Sequence, residues 1–110
     1  MGISTHILDT TRGRPAKGVT VRLEQVAAGG AKELARGVTN DDGRVKPLLD
    51  VIPTEGTYRL HFEVASYFAA LGVEAFYPVV TLDFVVKARA EHYHVPLLLN
   101  PFGFSTYRGS

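Results

Sequence analysis

The closing stretch Glu91-His92-Tyr93-His94-Val95-Pro96-Leu97-Leu98-Leu99-Asn100-Pro101-Phe102-Gly103-Phe104-Ser105-Thr106-Tyr107-Arg108-Gly109-Ser110 reads as a β-hairpin. Two runs with strand-like alternation flank Asn100-Pro101-Phe102-Gly103, a turn composition in which Pro fixes one dihedral and Gly permits an unusual one. Side chains in a strand repeat every two residues, so His92, His94, Pro96 and Leu98 share one face of the first arm. On the returning arm the matching set is Gly103, Ser105, Tyr107 and Gly109. One face of the hairpin therefore collects imidazole, hydroxyl and phenol groups, including two of the four histidines of the chain.

The same period runs outward through the rest of the sequence. Ile3 to Asp9 alternates, with Ile3, Thr5 and Ile7 on one face and Ser4, His6 and Leu8 on the other, which places His6 off the core face. Thr10 to Gly18 is polar, holds Gly13, Pro15 and Gly18, and reads as a loop. Val19 to Glu24 is a second strand, turned at Ala27 to Ala31 into a third over Glu33 to Thr39. Asn40-Asp41-Asp42-Gly43 is a tight-turn signal, because Asp and Gly tolerate positive φ. Arg44 is the first residue beyond it, ahead of a short strand over Val45 to Leu49. Thr57 to Val64 alternates strictly, with His61 on its polar face as an ordinary exposed histidine. Ser66 is placed to cap one short helix over Tyr67 to Leu71, closed by Gly72. Val79 to Val86 is a sixth strand, after which Lys87 to Ala90 leads into the hairpin. Eight short strands with regular turn signals predict an all-β sandwich.

Composition limits what such a sandwich does. At 110 residues the chain is expected to be one domain over 1–110, since halves of it would bury too little core. Net charge is +1 with the basic residues scattered along the sequence, so the footprint of a nucleic-acid binder is missing. No apolar run approaches a membrane span and Met1 to His6 supplies no secretory signal; with no cysteine, a cytoplasmic location is the expectation. His92 and His94 form a His-X-His pair of the kind that binds zinc or copper, but two imidazoles alone make an insufficient ligand set, and no metal is expected. Taken singly, each candidate has a plain structural reading: solvated strand histidines, a solvated Arg44 at a strand end, packing roles for Tyr107 and the Phe102, Phe104 pair, a frayed Ser110. Taken together they describe a chain end that is placed against something.

Several stretches carry a family likeness. Ser4-Thr5-His6-Ile7-Leu8-Asp9-Thr10, Gly13-Arg14-Pro15-Ala16, Asp42-Gly43-Arg44, Phe76-Tyr77-Pro78, His92 to Leu99 and the closing Tyr107-Arg108-Gly109-Ser110 resemble the 5-hydroxyisourate hydrolases, the transthyretin-related enzymes of urate breakdown. The likeness covers essentially the whole chain, and Tyr-Arg-Gly-Ser is its most specific motif, since the transthyretin hormone carriers lack it. The resemblance implies a transthyretin-like sandwich of two four-stranded sheets with one short helix. It further implies a homotetramer built as a dimer of dimers, with sites in a central channel. Carried over position by position, the family's catalytic groups fall on His6, Arg44, His94 and Ser110, with His6, Arg44, Tyr107 and Ser110 meeting the substrate. His92 is not among them. Asn100, Phe102 and Phe104 stand where the family commonly has Ser and often Tyr.

The resemblance implies hydrolysis of 5-hydroxyisourate to 2-oxo-4-hydroxy-4-carboxy-5-ureidoimidazoline in purine catabolism, without cofactor. A histidine would act as the base and Arg44 would stabilise developing charge. Independently, alternation puts His6, Leu8, His94, Pro96 and Leu98 on outward faces, a surface apolar enough for a subunit contact with a polar pocket in it. The competing reading is a carrier of small aromatic ligands on the same scaffold. A carrier needs an apolar channel, against which His6, Arg44 and His94 argue; an adhesive module would ordinarily come with linkers.

Overall fold

In the computed structural model, residues 2–87 and 91–109 are described. Among them nine strands and one helix follow one another: β1 (Ile3–Asp9), β2 (Arg14–Pro15), β3 (Thr20–Ala27), β4 (Gly30–Val38), β5 (Arg44–Leu49), β6 (Gly56–Glu63), α1 (Val64–Ala70), β7 (Val80–Val86), β8 (Tyr93–Asn100) and β9 (Gly103–Thr106). They form a sandwich of two sheets. One sheet has the order β4-β3-β6-β7. In the other, β1 and β8 run parallel down the middle and β9 flanks β8. The far side of β1 is shared: β5 pairs with Ile3 to His6 and the two-residue β2 with Leu8 and Asp9. This second sheet therefore has five strands where four were expected, because β2 is a strand hidden in the stretch Thr10 to Gly18 that reads as loop. No helix among the described residues is long and apolar enough to cross a membrane.

The strands form where alternation demands them. In β1, Ile3, Thr5, Ile7 and Asp9 are buried while Ser4, His6 and Leu8 are half-buried on the opposite face. The inward set meets Val21, Leu23, Leu60, Phe62, Leu97 and Leu99 in a continuous core. Thr5, buried among them, satisfies its hydroxyl by donating to the Val95 carbonyl at 2.7 Å. Asp9 is also buried, which for a lone carboxylate would be costly. It is met by three donors: the backbone N–H groups of Thr11 and Arg12 on Oδ1 and the Tyr67 hydroxyl on Oδ2 at 2.7 Å. This last bond ties α1 to the end of β1, and burial together with the Asp9 contact pushes the Tyr67 phenol up.

The helix differs from its sequence reading at one end. It begins at Val64, two residues ahead of Ser66, with no side-chain cap. The Ala65 N–H is satisfied instead by the Pro78 carbonyl at 3.1 Å, so β6 runs straight into helix without a capping hydroxyl. At the other end Gly72 donates to Ala69 and Val73 to Phe68, the paired closing bonds expected of a helix stop at glycine. The hairpin turn also differs. Gly103 does not take a positive φ. Pro101 and Phe102 form the two-residue connection between paired Asn100 and Gly103, and the Asn100 Oδ1 closes it by accepting the Phe102 N–H at 2.9 Å.

Candidate active site

Three sequence candidates come together on the outward face of the β1–β8 sheet. The Asn40–Gly43 turn carries the chain from β4 in one sheet to β5 in the other. Its geometry is set by Asn40, whose Oδ1 accepts the N–H groups of Asp42 and Arg44. Gly43 is required here twice over. Its φ is +73°, and a Cβ on it would lie 2.5 Å from the Ile7 carbonyl oxygen. That close approach lets the Gly43 carbonyl accept the Ile7 N–H at 2.9 Å, stitching the turn to β1. Arg44 is thereby set directly opposite His6 in the antiparallel β5–β1 register.

The parallel β1–β8 register continues the face. Ser4 stands opposite His94 and His6 opposite Pro96. His94 is therefore one strand spacing (~4.8 Å) across and two residues (~6.6 Å) along from His6. Both imidazoles are half-buried. Desolvation lowers the pKa of His6 below the ordinary value and the Arg44 guanidinium lowers it further, with the Asp42 backbone hydrogen bond working the other way. Desolvation lowers His94 as well, followed by repulsion from Arg44, His6 and His92. The chemical consequence is a pair of imidazoles held neutral, hence able to accept a proton near neutrality, beside a fixed cation that can meet developing negative charge.

Two further residues belong to this face: Ser4, which the sequence alone did not single out, and Gly109 of the matching set on the returning arm. The Ser4 hydroxyl lies 2.8 Å from His94 Nδ1 and 2.7 Å from His92 Nε2, so it sits between the two histidines of the His-X-His pair. The only sequence signal is its alternation with His6; its partners are 88 and 90 residues away. Gly109 forms a β-bridge to His94, its N–H donating to the His94 carbonyl at 2.8 Å. A Cβ at 109 would lie 2.7 Å from His94 Cδ2 and 3.3 Å from Pro96 Cγ, so the returning chain is laid flat against the imidazole. This places the Gly109 of the terminal motif on the candidate face.

The remaining candidates distribute differently. Tyr107 follows the end of β9, is 58% exposed, and borders a cavity of about 250 Å³ shared with His94 and Leu82–Val85 of β7. Arg108 turns away from the Arg44 row: it stacks 4.6 Å over the Tyr93 ring and pairs with Glu91 at 3.0 Å. Ser110 lies outside the described residues. His61, expected to be an ordinary exposed histidine, is instead half-buried and hydrogen-bonded through Nε2 to the Glu24 carboxylate at 2.5 Å, because β3 brings Glu24 onto the same face of its sheet. Phe104 packs edge-on against Tyr77 at 5.4 Å, a packing role as read. A second concavity of about 550 Å³, between Arg12, Arg14, Lys17 and α1, is lined by neither His6 nor Arg44 nor His94. Among the described residues no three of His, Asp, Glu or Cys converge as a metal-ligand set.

With the geometry in place, the comparisons with known proteins are consistent with it. The HIUase/Transthyretin family model matches residues 3–109. A 5-hydroxyisourate hydrolase from Halalkalibacterium halodurans is 48% identical over 115 residues, spanning 98% of this chain and 97% of that protein. The solved structure of Klebsiella pneumoniae 5-hydroxyisourate hydrolase superposes with a TM-score of 0.87 at 41% identity, covering 99% of this chain and 93% of that one. Sea bream transthyretin, solved in complex with thyroxine, superposes with a TM-score of 0.93 at 29% identity, covering 99% and 95%. By its match over nearly the whole length, this chain belongs to the HIUase/transthyretin family.

Proposed function

We propose that the chain hydrolyses 5-hydroxyisourate to 2-oxo-4-hydroxy-4-carboxy-5-ureidoimidazoline in urate catabolism, through a water activated by histidine and without a metal. The backbone is as close to a thyroxine-binding transthyretin as to a hydrolase, so the fold does not choose between enzyme and carrier. The observation that carries the choice is the row Arg44–His6 with His94 beside it, where both imidazoles are held neutral by desolvation and the same guanidinium. A carrier could use the cation to hold an anionic ligand, but it has no use for two proton acceptors beside that cation.

In this reading His94 or His6 takes a proton from water, whose oxygen adds to a carbonyl of the six-membered ring. The acyl C–N bond then breaks, and the proton is returned to the departing nitrogen. Arg44 binds the urate-like oxygens and stabilises the charge on the tetrahedral intermediate, while Tyr107 and Ser110 position substrate or water. The face is open in a single copy, with Leu8 and Leu98 half-buried around it, which supports its closure by other copies in a homotetramer arranged as a dimer of dimers. The outer edges of β7 and β9, unpaired among the described residues, give further surface for that assembly. A cysteine-free chain suits the cytoplasm, where we place the reaction.

The test is the absorbance decay of 5-hydroxyisourate generated in place from urate and urate oxidase. Purified protein should accelerate the decay, chelator should leave the rate unchanged, and the product should be identified by NMR. A decay no faster than buffer ends the hydrolase reading; saturable binding of the substrate without turnover would favour the carrier.

A further inference from the structure

The Ser4 hydroxyl is within hydrogen-bond distance of two imidazole nitrogens, His94 Nδ1 and His92 Nε2. It has one proton, so it can donate to only one of them; the other ring must donate to it. The three side chains therefore have two coupled arrangements. In the first, His94 Nδ1–H donates to Ser4, Ser4 donates to His92, and His94 Nε2 is left as a bare lone pair. In the second, His92 Nε2–H donates to Ser4, Ser4 donates to His94 Nδ1, and the His94 proton sits on Nε2. Nε2 has no partner among the described residues, so it is the nitrogen left to meet a water.

We infer that Ser4 and His92 form a proton relay behind His94, in which Ser4 selects the basic tautomer of His94 and His92 stores the proton taken from water. This deepens the hydrolase reading above and rests on it. In the step, the water proton moves to His94 Nε2 as hydroxide oxygen bonds to the substrate carbonyl carbon. The Nδ1 proton passes to Ser4 Oγ, and the Ser4 proton passes to His92 Nε2. His94 ends neutral, Ser4 ends neutral, and the positive charge rests on His92. Collapse of the intermediate runs the relay backward and delivers the proton to the ring nitrogen as the C–N bond breaks.

The surroundings favour charge at that end. His94 is half-buried and faces Arg44 and His6, both of which oppose a cation there, as does His92 when charged. His92 is exposed to solvent, which hydrates an imidazolium. Burial and repulsion thus push the proton outward along the serine rather than leaving it on the base. Ser4 and His92 act through His94 and are positioning residues. The His-X-His spacing acquires a reason: a period of two sets both rings on the same face, within reach of one hydroxyl on the neighbouring strand.

The test combines turnover with nitrogen-15 NMR of the histidine rings in wild type, Ser4→Ala, Ser4→Thr and His92→Phe. In wild type at pH above the His94 titration, the His94 proton is expected on Nδ1. Ser4→Ala should move it to Nε2 and lower kcat roughly ten-fold or more, within the ~10²–10⁴ that a general base contributes, with KM little changed. Ser4→Thr, which keeps the hydroxyl, should restore both the tautomer and kcat. His92→Phe should lower kcat comparably. Wild-type kcat and an unchanged His94 tautomer in Ser4→Ala would overturn the relay. Because the tautomer is read without turnover, an inactive wild type whose His94 proton is on Nδ1 and moves in Ser4→Ala would sink the hydrolase reading while upholding the hydrogen-bond arrangement.

Discussion

Gly109 lies against the imidazole of His94 so closely that its missing side chain is part of the site: a Cβ there would come within 2.7 Å of His94 Cδ2. The backbone cannot retreat, because the Gly109 N–H is bonded to the His94 carbonyl at 2.8 Å. The glycine of the terminal motif is thus explained by the ring it covers. Gly109→Ala should tilt His94 off its Ser4 partner and lower kcat about ten-fold or more, as expected when a base is displaced by a fraction of an ångström. Circular dichroism should be unchanged, since one isolated bridge is affected. Wild-type turnover in the alanine variant would show that the ring accommodates a methyl group.

Removing Gly109 and Ser110 together tests the terminus more severely. Among the described residues the truncation loses the Gly109 bridge to His94, and Gly109 belongs to no named strand and not to the core. The fold should persist and turnover should vanish. Full activity in the truncated protein would remove the terminus from the mechanism.

The low pKa values of His6 and His94 have separable causes. Desolvation is the larger for both, and Arg44 is second for both. Replacing Arg44 with Met should therefore raise both titration midpoints toward the ordinary histidine value of about 6.5 without reaching it. A raised midpoint means a smaller neutral fraction at any pH near it, so the acid limb of any residual activity should shift to higher pH. Proton NMR titration of the ring Hε1 signals measures this directly. A midpoint that stays in place or falls would contradict the assigned charge effect.

Stability has its own test at the other end of β1. Tyr67→Phe removes the hydroxyl that donates to the buried Asp9 Oδ2 and leaves that oxygen unpaired. The expected loss is about 1–3 kcal/mol in denaturant unfolding, with the active-site face untouched. Asp9→Asn combined with Tyr67→Phe should cost less than the sum of the two single changes, because they break one interaction.

The parts of this structure that could be read from sequence are those that depend on local period. The bounds of β1 follow from the alternation of Ile3, Thr5 and Ile7, and the side assigned to His6 and His94 follows from the same count of two. What joins those residues is not local. Parallel pairing of β1 with β8 links positions about ninety apart, and nothing in either strand's composition announces it. Arg44 reaches His6 because the Asn40–Gly43 turn crosses between sheets, where a turn signal alone says only that the chain bends. Ser4 was unreadable for the same reason: a serine beside a histidine gains meaning only from the strand next to it. The helix start was misplaced because a carbonyl from Pro78, rather than the Ser66 hydroxyl, meets the free N–H of the first turn. β2 was missed because two residues are too few for any period.

The most direct measurement of the central claim is the initial rate of 5-hydroxyisourate loss, compared between wild type and His94→Gln at pH 7.5. The wild type should exceed the spontaneous rate, and the variant, with unchanged circular dichroism and the same assembly by sedimentation, should fall by about 10²–10⁴. Equal rates for the two proteins would contradict the assignment of His94 to the chemistry.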